Sequence, residues 1–323
     1  MRRGSRRGAS DGAHPDPTTP SPSPSPKEET AAPAGAQFER WTGFIGNVIA
    51  PATLIGALLF YFGYVSSRAQ FDYFGVDVDV IELSTQDYVM RSPQPLLVPV
   101  LVLTLLGAGL IALHAGLRRR LASPRLRSGI RGAIIVGLIV LAVGLVLVFL
   151  YPVIGAWAYY PLVAPLMLAV GAALTAYGLG TLRVMERDAA TASGAPPPRL
   201  GVIVLLWATV AAALFWATAT VAQWSGLGLA QAQALHLDEL PSVIVDTQQR
   251  LYLPEQADVH EVALPGAEDD RFRYRYWGLR LLIVGDDRMF LVPDTWSNRD
   301  TTLVVPLDGS TRVQFQFRND APE

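Results

Sequence analysis

Five side chains in the C-terminal third, His236, Asp238, Glu239, His260 and Glu261, are of the types that supply nitrogen and oxygen donors to a divalent metal. They come from separate segments without the HExxH-like spacing of a metallohydrolase, so they are expected to face water as ordinary polar residues. Asp77 and Asp79 alternate with Val76, Val78 and Val80, but the further ligands and closing Glu of a calcium loop are missing. Arg271, Arg273 and Arg275 alternate with Phe272, Tyr274 and Tyr276. On a strand, that spacing puts three guanidinium groups on one face, able to bind anions or to stay solvated opposite an aromatic core face. His114 stands one turn before Arg118, where an interfacial histidine is expected in preference to a proton relay. The sequence carries no nucleophile elbow, phosphate loop, dinucleotide fingerprint or paired-carboxylate motif. With no cysteine, disulfides, Cys-ligated zinc, iron–sulfur clusters and thiol catalysis are excluded. No catalytic, cofactor-binding or metal residue is therefore expected, no cofactor is called for, and the chain reads as a non-enzyme.

The elements that carry these residues are dominated by five apolar runs, 44–66, 95–117, 132–151, 161–182 and 201–223, none containing Asp, Glu, Lys or Arg. At 1.5 Å per residue each can cross a hydrocarbon core of ~30 Å. Composition agrees: 51% of the 323 residues are hydrophobic and only 17% charged. Gly56 and Gly63, Gly137 and Gly144, and Gly171 and Gly178 each recur at seven residues. Each pair falls on one helical face, where a neighbouring backbone can approach. Ion-coupled transport needs intramembrane charge, which these runs lack. Pro51, Pro99 and Pro165 fall early in their spans, where they cost little.

Charge sets the expected orientation. Lys and Arg number 6 in the N-terminal tail, 6 in 118–131 and 3 in 183–199, against 2 in 67–94 and none in 152–160. The bias places the N-terminus in the cytoplasm and the C-terminus outside. Phe60, Tyr61, Phe62, Tyr64, Tyr151, Trp157, Tyr159, Tyr160 and Trp224 collect at the presumed outer interface and Trp41 at the inner one. Residues 1–40, with the run Pro20 to Pro26, read as a disordered cytoplasmic tail. Arg2-Arg3 and Arg6-Arg7 are too far from the first apolar run to read as an export signal.

The segment 67–94 is the most distinctive polar stretch. Ser84 and Asp87 have the spacing of a capping box at the start of a short helix. The strings Tyr73-Phe74-Gly75-Val76-Asp77, Leu83 to Ser92 and Arg288-Met289-Phe290-Leu291-Val292-Pro293-Asp294-Thr295-Trp296 resemble uncharacterised multi-pass membrane proteins of high-GC actinobacteria. That resemblance implies a bacterial plasma membrane and brings no assigned reaction and no active site.

After Trp224 the pattern shortens and alternates. Residues 224–240 read as a linker that starts as helix, and 241–323 as a mostly antiparallel β domain. The strands are expected at 242–246, 259–264, 272–284, 288–292, 302–305 and 311–317, with a hairpin across Gly285-Asp286-Asp287. The expected fold class is thus an α-helical transmembrane bundle of five spans, occupying 41–223, followed by a small extracytoplasmic β domain. Sixteen acids against nine arginines after Trp224 give a net −7, which opposes nucleic acid as a ligand. The leading functional expectation is a membrane protein that presents the β domain to a protein partner, with the lipid bilayer as its other neighbour. A permease-like subunit and an envelope enzyme are the alternatives. The candidate interaction surface is Asp72, Tyr73, Phe74, Asp77, Asp87, Tyr88, Arg271, Arg273 and Arg275. Loop 67–94 is expected to dock on the sheet by burying Phe71, Tyr73, Phe74 and Val78 or Val80, with the arginine row setting its register.

Overall fold

A computed structural model describes residues 49–118, 124–190, 200–253, 259–265, 271–297 and 299–316. The tail 1–40 and Trp41 lie outside these residues. Eight helices are described: α1 Ala50–Tyr73, α2 Val78–Ile81, α3 Thr85–Arg91, α4 Pro93–Arg118, α5 Pro124–Phe149, α6 Tyr151–Ile154, α7 Tyr160–Ala190 and α8 Leu200–Leu235. Of these α1, α4, α5, α7 and α8 are long and apolar enough to cross a membrane, which marks the chain as a multi-pass membrane protein.

Small residues let the helices approach. On α5 and α7, Gly137 and Gly171 face one another so closely that a Cβ on Gly137 would meet the Thr175 Oγ1 at 2.6 Å and the Gly171 carbonyl at 3.0 Å. Gly144 rests on Leu168 and Gly178 on Ile134, so both seven-residue pairs line one seam. The Gly56 and Gly63 pair behaves differently. Gly56 faces open space, while Gly63 has no room for a Cβ against the Tyr88 carbonyl of α3. Equal spacing was a shared face in all three helices, but α1 meets a neighbour at one end of that face.

Pro165 lacks the N–H that would bond the carbonyl four residues back, leaving Pro161 with a free acceptor inside the bundle. Thr220 on α8 donates its hydroxyl to that carbonyl at 3.0 Å. The carbonyl that Pro165 leaves free thus becomes a cross-link between α7 and α8.

Helix α8 does not stop where the apolar run ends. Its 36 residues span about 54 Å, well beyond a hydrocarbon core of ~30 Å. The extension survives Gly226 and Gly228 because α1 continues beside it. Gly226 has no room for a Cβ against the Ser66 carbonyl, and Gln70 donates to Gln233 at 2.7 Å. The two glycines weaken an otherwise helix-favouring stretch and the partner offsets them, so residues 224–235 belong to α8 and only the short segment to Leu240 links it to the sheet.

The sheet holds β1 Ser242–Thr247, β2 His260–Ala263, β3 Tyr274–Val284, β4 Arg288–Pro293, β5 Leu303–Pro306 and β6 Thr311–Gln316, all paired antiparallel. Each lies within two residues of its expected position. The order is β5-β4-β3-β1-β6, with β2 also on β3. The two edge strands β5 and β6 are consecutive in sequence and joined by only Leu307 to Ser310, so the sheet must curl to bring its edges together. Val243 and Val245 of β1, Tyr276 and Leu279 of β3, Met289 and Leu291 of β4 and Val305 of β5 fill the inside of the curl. Gly278, at φ 85°, marks the point on β3 where its neighbour changes from β2 to β4.

The seam between α5 and α7 yields a direct test. Gly171→Val should lower the stability of the full chain in detergent by about 1–3 kcal/mol through overpacking, whereas Gly180→Ala, where an added Cβ meets nothing within 4 Å, should leave the thermal transition in place.

Candidate interaction site at the junction of helices and sheet

Strand β4 reads Arg-Met-Phe-Leu-Val-Pro, and all but its first residue are buried. Side chains alternate across a strand, so Met289 and Leu291 point into the curl while Phe290 and Val292 point out. Something must cover the outer pair. The cover is the segment between α1 and α4.

Local rules shape that segment. Gly75, at φ 74°, turns the chain off the end of α1. The Asp77 carboxylate accepts the Asp79 amide at 3.0 Å to start α2, and Glu82, at φ 59°, ends it in the left-handed conformation. The expected capping box is present at α3. The Ser84 hydroxyl accepts the Asp87 amide at 3.2 Å, and the Asp87 carboxylate accepts the Ser84 amide at 3.0 Å. The Ser84 hydroxyl and amide hold the Asp87 carboxyl below its usual range.

These turns present two apolar clusters to the sheet. In the first, Phe71, Val76, Val78, Ile81 and Tyr88 pack with Ile283 and Phe290. In the second, Phe74 packs with Ala230, Leu237, Val292 and Trp296. The Trp296 ring sits 4.8 Å from that of Phe74 and 5.8 Å from that of Tyr73. Its buried Nε1 has no acceptor among the described residues, so packing holds it. Thr302 donates to the Phe74 carbonyl at 2.6 Å, and the tip of the β3–β4 hairpin lies so close that Gly285 has no room for a Cβ beside the Ile81 carbonyl. A bulge between Leu281 and Ile283 turns Ile283 outwards to join the first cluster.

The end of α8 is tied to the same place. Arg280, only 9% exposed, pairs with Asp294 and donates to the Leu240 carbonyl at 3.0 Å and the Asp238 carbonyl at 3.4 Å. One guanidinium therefore holds β3, the residues after β4 and the turn Leu237–Glu239 together.

Of the residues expected to form an interaction surface, Tyr73, Phe74 and Tyr88 lie at this junction, and Val78 is buried there while Val80 remains exposed. Asp72 pairs with Arg68 of its own helix at 3.7 Å, and Asp77 and Asp87 cap α2 and α3. The arginine row does not set the register. Arg275 is taken up by Asp246 of β1 at 2.7 Å, and Arg312 of β6 pairs with the other oxygen of that carboxylate. Arg271 lies beside Gly309 and over the Phe272 ring, and Arg273 is exposed before the strand begins. Strand alternation starts only at Tyr274, so Phe272 lies under Arg271 and Arg312, outside the aromatic core face. The ion pair that does cross from loop to sheet is Glu82 with Arg288, at 3.8 Å and largely solvated.

The potential metal donors are spread out. His236 Nδ1 lies 3.0 Å from the Ala232 carbonyl, His260 stacks on Trp277 and Glu261 pairs with Arg250. Among the described residues no group of three or more His, Asp or Glu is placed to hold a metal. His114, in α4, shares a 2.8 Å hydrogen bond with the Tyr177 hydroxyl of α7. No protein-family model, curated protein or solved structure matches the chain.

Asp246 supplies a pH test. Burial would raise its pKa, but the hydrogen bonds from Arg275 and Arg312 outweigh burial and leave it lowered. A carboxyl lowered in the folded state adds stability above its unfolded value near ~3.9, and that stability is lost as pH falls through the lower folded value. Asp246→Asn should cost about 3 kcal/mol at pH 7 by leaving two arginines without their anion. The gap between mutant and wild type in thermal melts should shrink below about pH 4.

Proposed function

We propose that this chain is a non-enzymatic integral protein of a bacterial plasma membrane, with its N-terminus in the cytoplasm and its β domain presented outside to a protein partner. The orientation rests on the excess of Lys and Arg in the tail, 118–131 and 183–199. The observation that carries the reading is the division of labour on the sheet. The outer face of β3 and β4 is committed to the helices through Phe74, Phe290, Val292 and Trp296, while β6 is left as an edge strand whose Phe315 is 63% exposed. A large aromatic at an open edge is the kind of anchor that partner interfaces use.

The firm seat matters for this function. A partner held at β6 is connected through β1 and β3 to the ends of α1 and α8, so binding outside bears on helices that cross the membrane.

Single cysteines in this cysteine-free chain test the orientation. Gln314→Cys should react with a membrane-impermeant maleimide on intact cells, and Ser5→Cys should react only after permeabilisation. The reverse pattern would overturn the orientation. A photo-crosslinking residue at Phe315 in native membranes should give one discrete adduct with another protein that a probe at bilayer-facing Val146 does not give. Identical adduct patterns at both sites would remove the partner reading.

A further inference from the structure

Helix α4 is the least enclosed of the five spans. It packs on α8 and reaches α7 near its far end through His114 and Tyr177. In the half of the bundle next to the sheet the three helices leave a crevice of about 240 Å³, walled by Val98, Leu103 and Leu106 of α4, Leu162 and Leu166 of α7 and Leu214 of α8. Its depth follows from the helix ends. Val98 is five residues into α4 and Leu162 two into α7, and both helices begin on the side where α8 leads into the sheet.

We propose that this crevice binds a single acyl chain of a phospholipid from the sheet-side leaflet. Three observations favour that occupant. The one polar side chain on the wall, Thr218, already donates its hydroxyl to the Leu214 carbonyl at 2.8 Å. Ordered water needs two to four polar partners and finds none here, so the space is filled by something apolar. The crevice lies within spans and its rim is exposed, with Leu106 57% and Val98 58% accessible, so it opens to hydrocarbon. Width then separates a lipid from a protein helix. A space of about 240 Å³ between three helices suits a flexible methylene chain, which can follow its walls, whereas a helix ~10 Å across would rest on the rim and leave the space unfilled. The walls come from α4, α7 and α8, and the bond between His114 and Tyr177 joins α4 to α7 beyond the crevice.

The test uses the full chain in phosphatidylglycerol liposomes containing a phospholipid spin-labelled on its acyl chain. Electron paramagnetic resonance reads the number of motionally restricted lipids per protein. Val102→Trp and Leu106→Trp, both at exposed wall positions, should each lower that number by one per chain, and Val146→Trp on the lipid-facing side of α5 should leave it unchanged. Thermal melts identify any variant that fails to fold, and the other crevice variant then decides. An unchanged number of restricted lipids in a folded crevice variant would overturn the proposal. So would efficient chain-to-chain cross-linking through Val102→Cys in the same liposomes, which would put a second protein in the groove.

Discussion

A strand that is apolar on both faces has to be covered on both faces, and β4 is such a strand. Met289 and Leu291 are covered by the curl of the sheet itself, whereas Phe290 and Val292 are covered by the segment between α1 and α4. Fully burying a side chain of this size is worth about 1.5–3 kcal/mol, so exposing the outer pair to water would cost several kcal/mol. A small curled sheet without disulfides has little stability to spare. The membrane domain therefore completes the core of the sheet, and the sheet in turn fixes the loop that joins the first two spans.

The same economy governs the helices. Helix α8 overshoots the hydrocarbon core because its extension supplies Ala230 and, just after its end, Leu237 to the second cluster beneath the sheet. The overshoot is tolerable because α1 runs beside it, with Ser66 against Gly226 and Gln70 bonded to Gln233. Lower down, the glycine seam joins α5 to α7, and the bond from Thr220 to Pro161 joins α7 to α8. Glycine contributes here by what it lacks. A Cβ at Gly63, Gly171 or Gly226 would collide with a neighbouring backbone.

Much of this was legible in the sequence because it rests on local patterns. Uncharged apolar runs of twenty residues or more, strands bounded by Gly, Asp and Pro, and the Ser84 and Asp87 pair each follow from short-range physics. Docking of the loop was legible too, from its apolar side chains beside a sheet short of core, although the arginine row expected to set its register does not face it. What was hidden depends on which groups meet in space. Arg275 is claimed by Asp246, a residue 29 positions earlier that no local pattern pairs with it. The real cross-strand latches, Arg280 and Trp296, stand in stretches that look like ordinary strand and loop. One signal did point to the site: an unbroken apolar run such as Met289 to Val292 is the mark of a strand with no solvent face. The stretches Tyr73 to Asp77 and Leu83 to Ser92 on one side, and Arg288 to Trp296 on the other, meet at this one interface.

The claim that the sheet is seated on the loop is most directly tested by proximity at its rim, at positions that do not support the core. Nitroxides on Glu82→Cys and Asp287→Cys, both exposed and both beside Arg288, should show strong dipolar broadening in the full chain reconstituted in a bilayer. A double-labelled spectrum equal to the sum of the two single-labelled spectra would mean that loop and hairpin are apart, and would contradict the account.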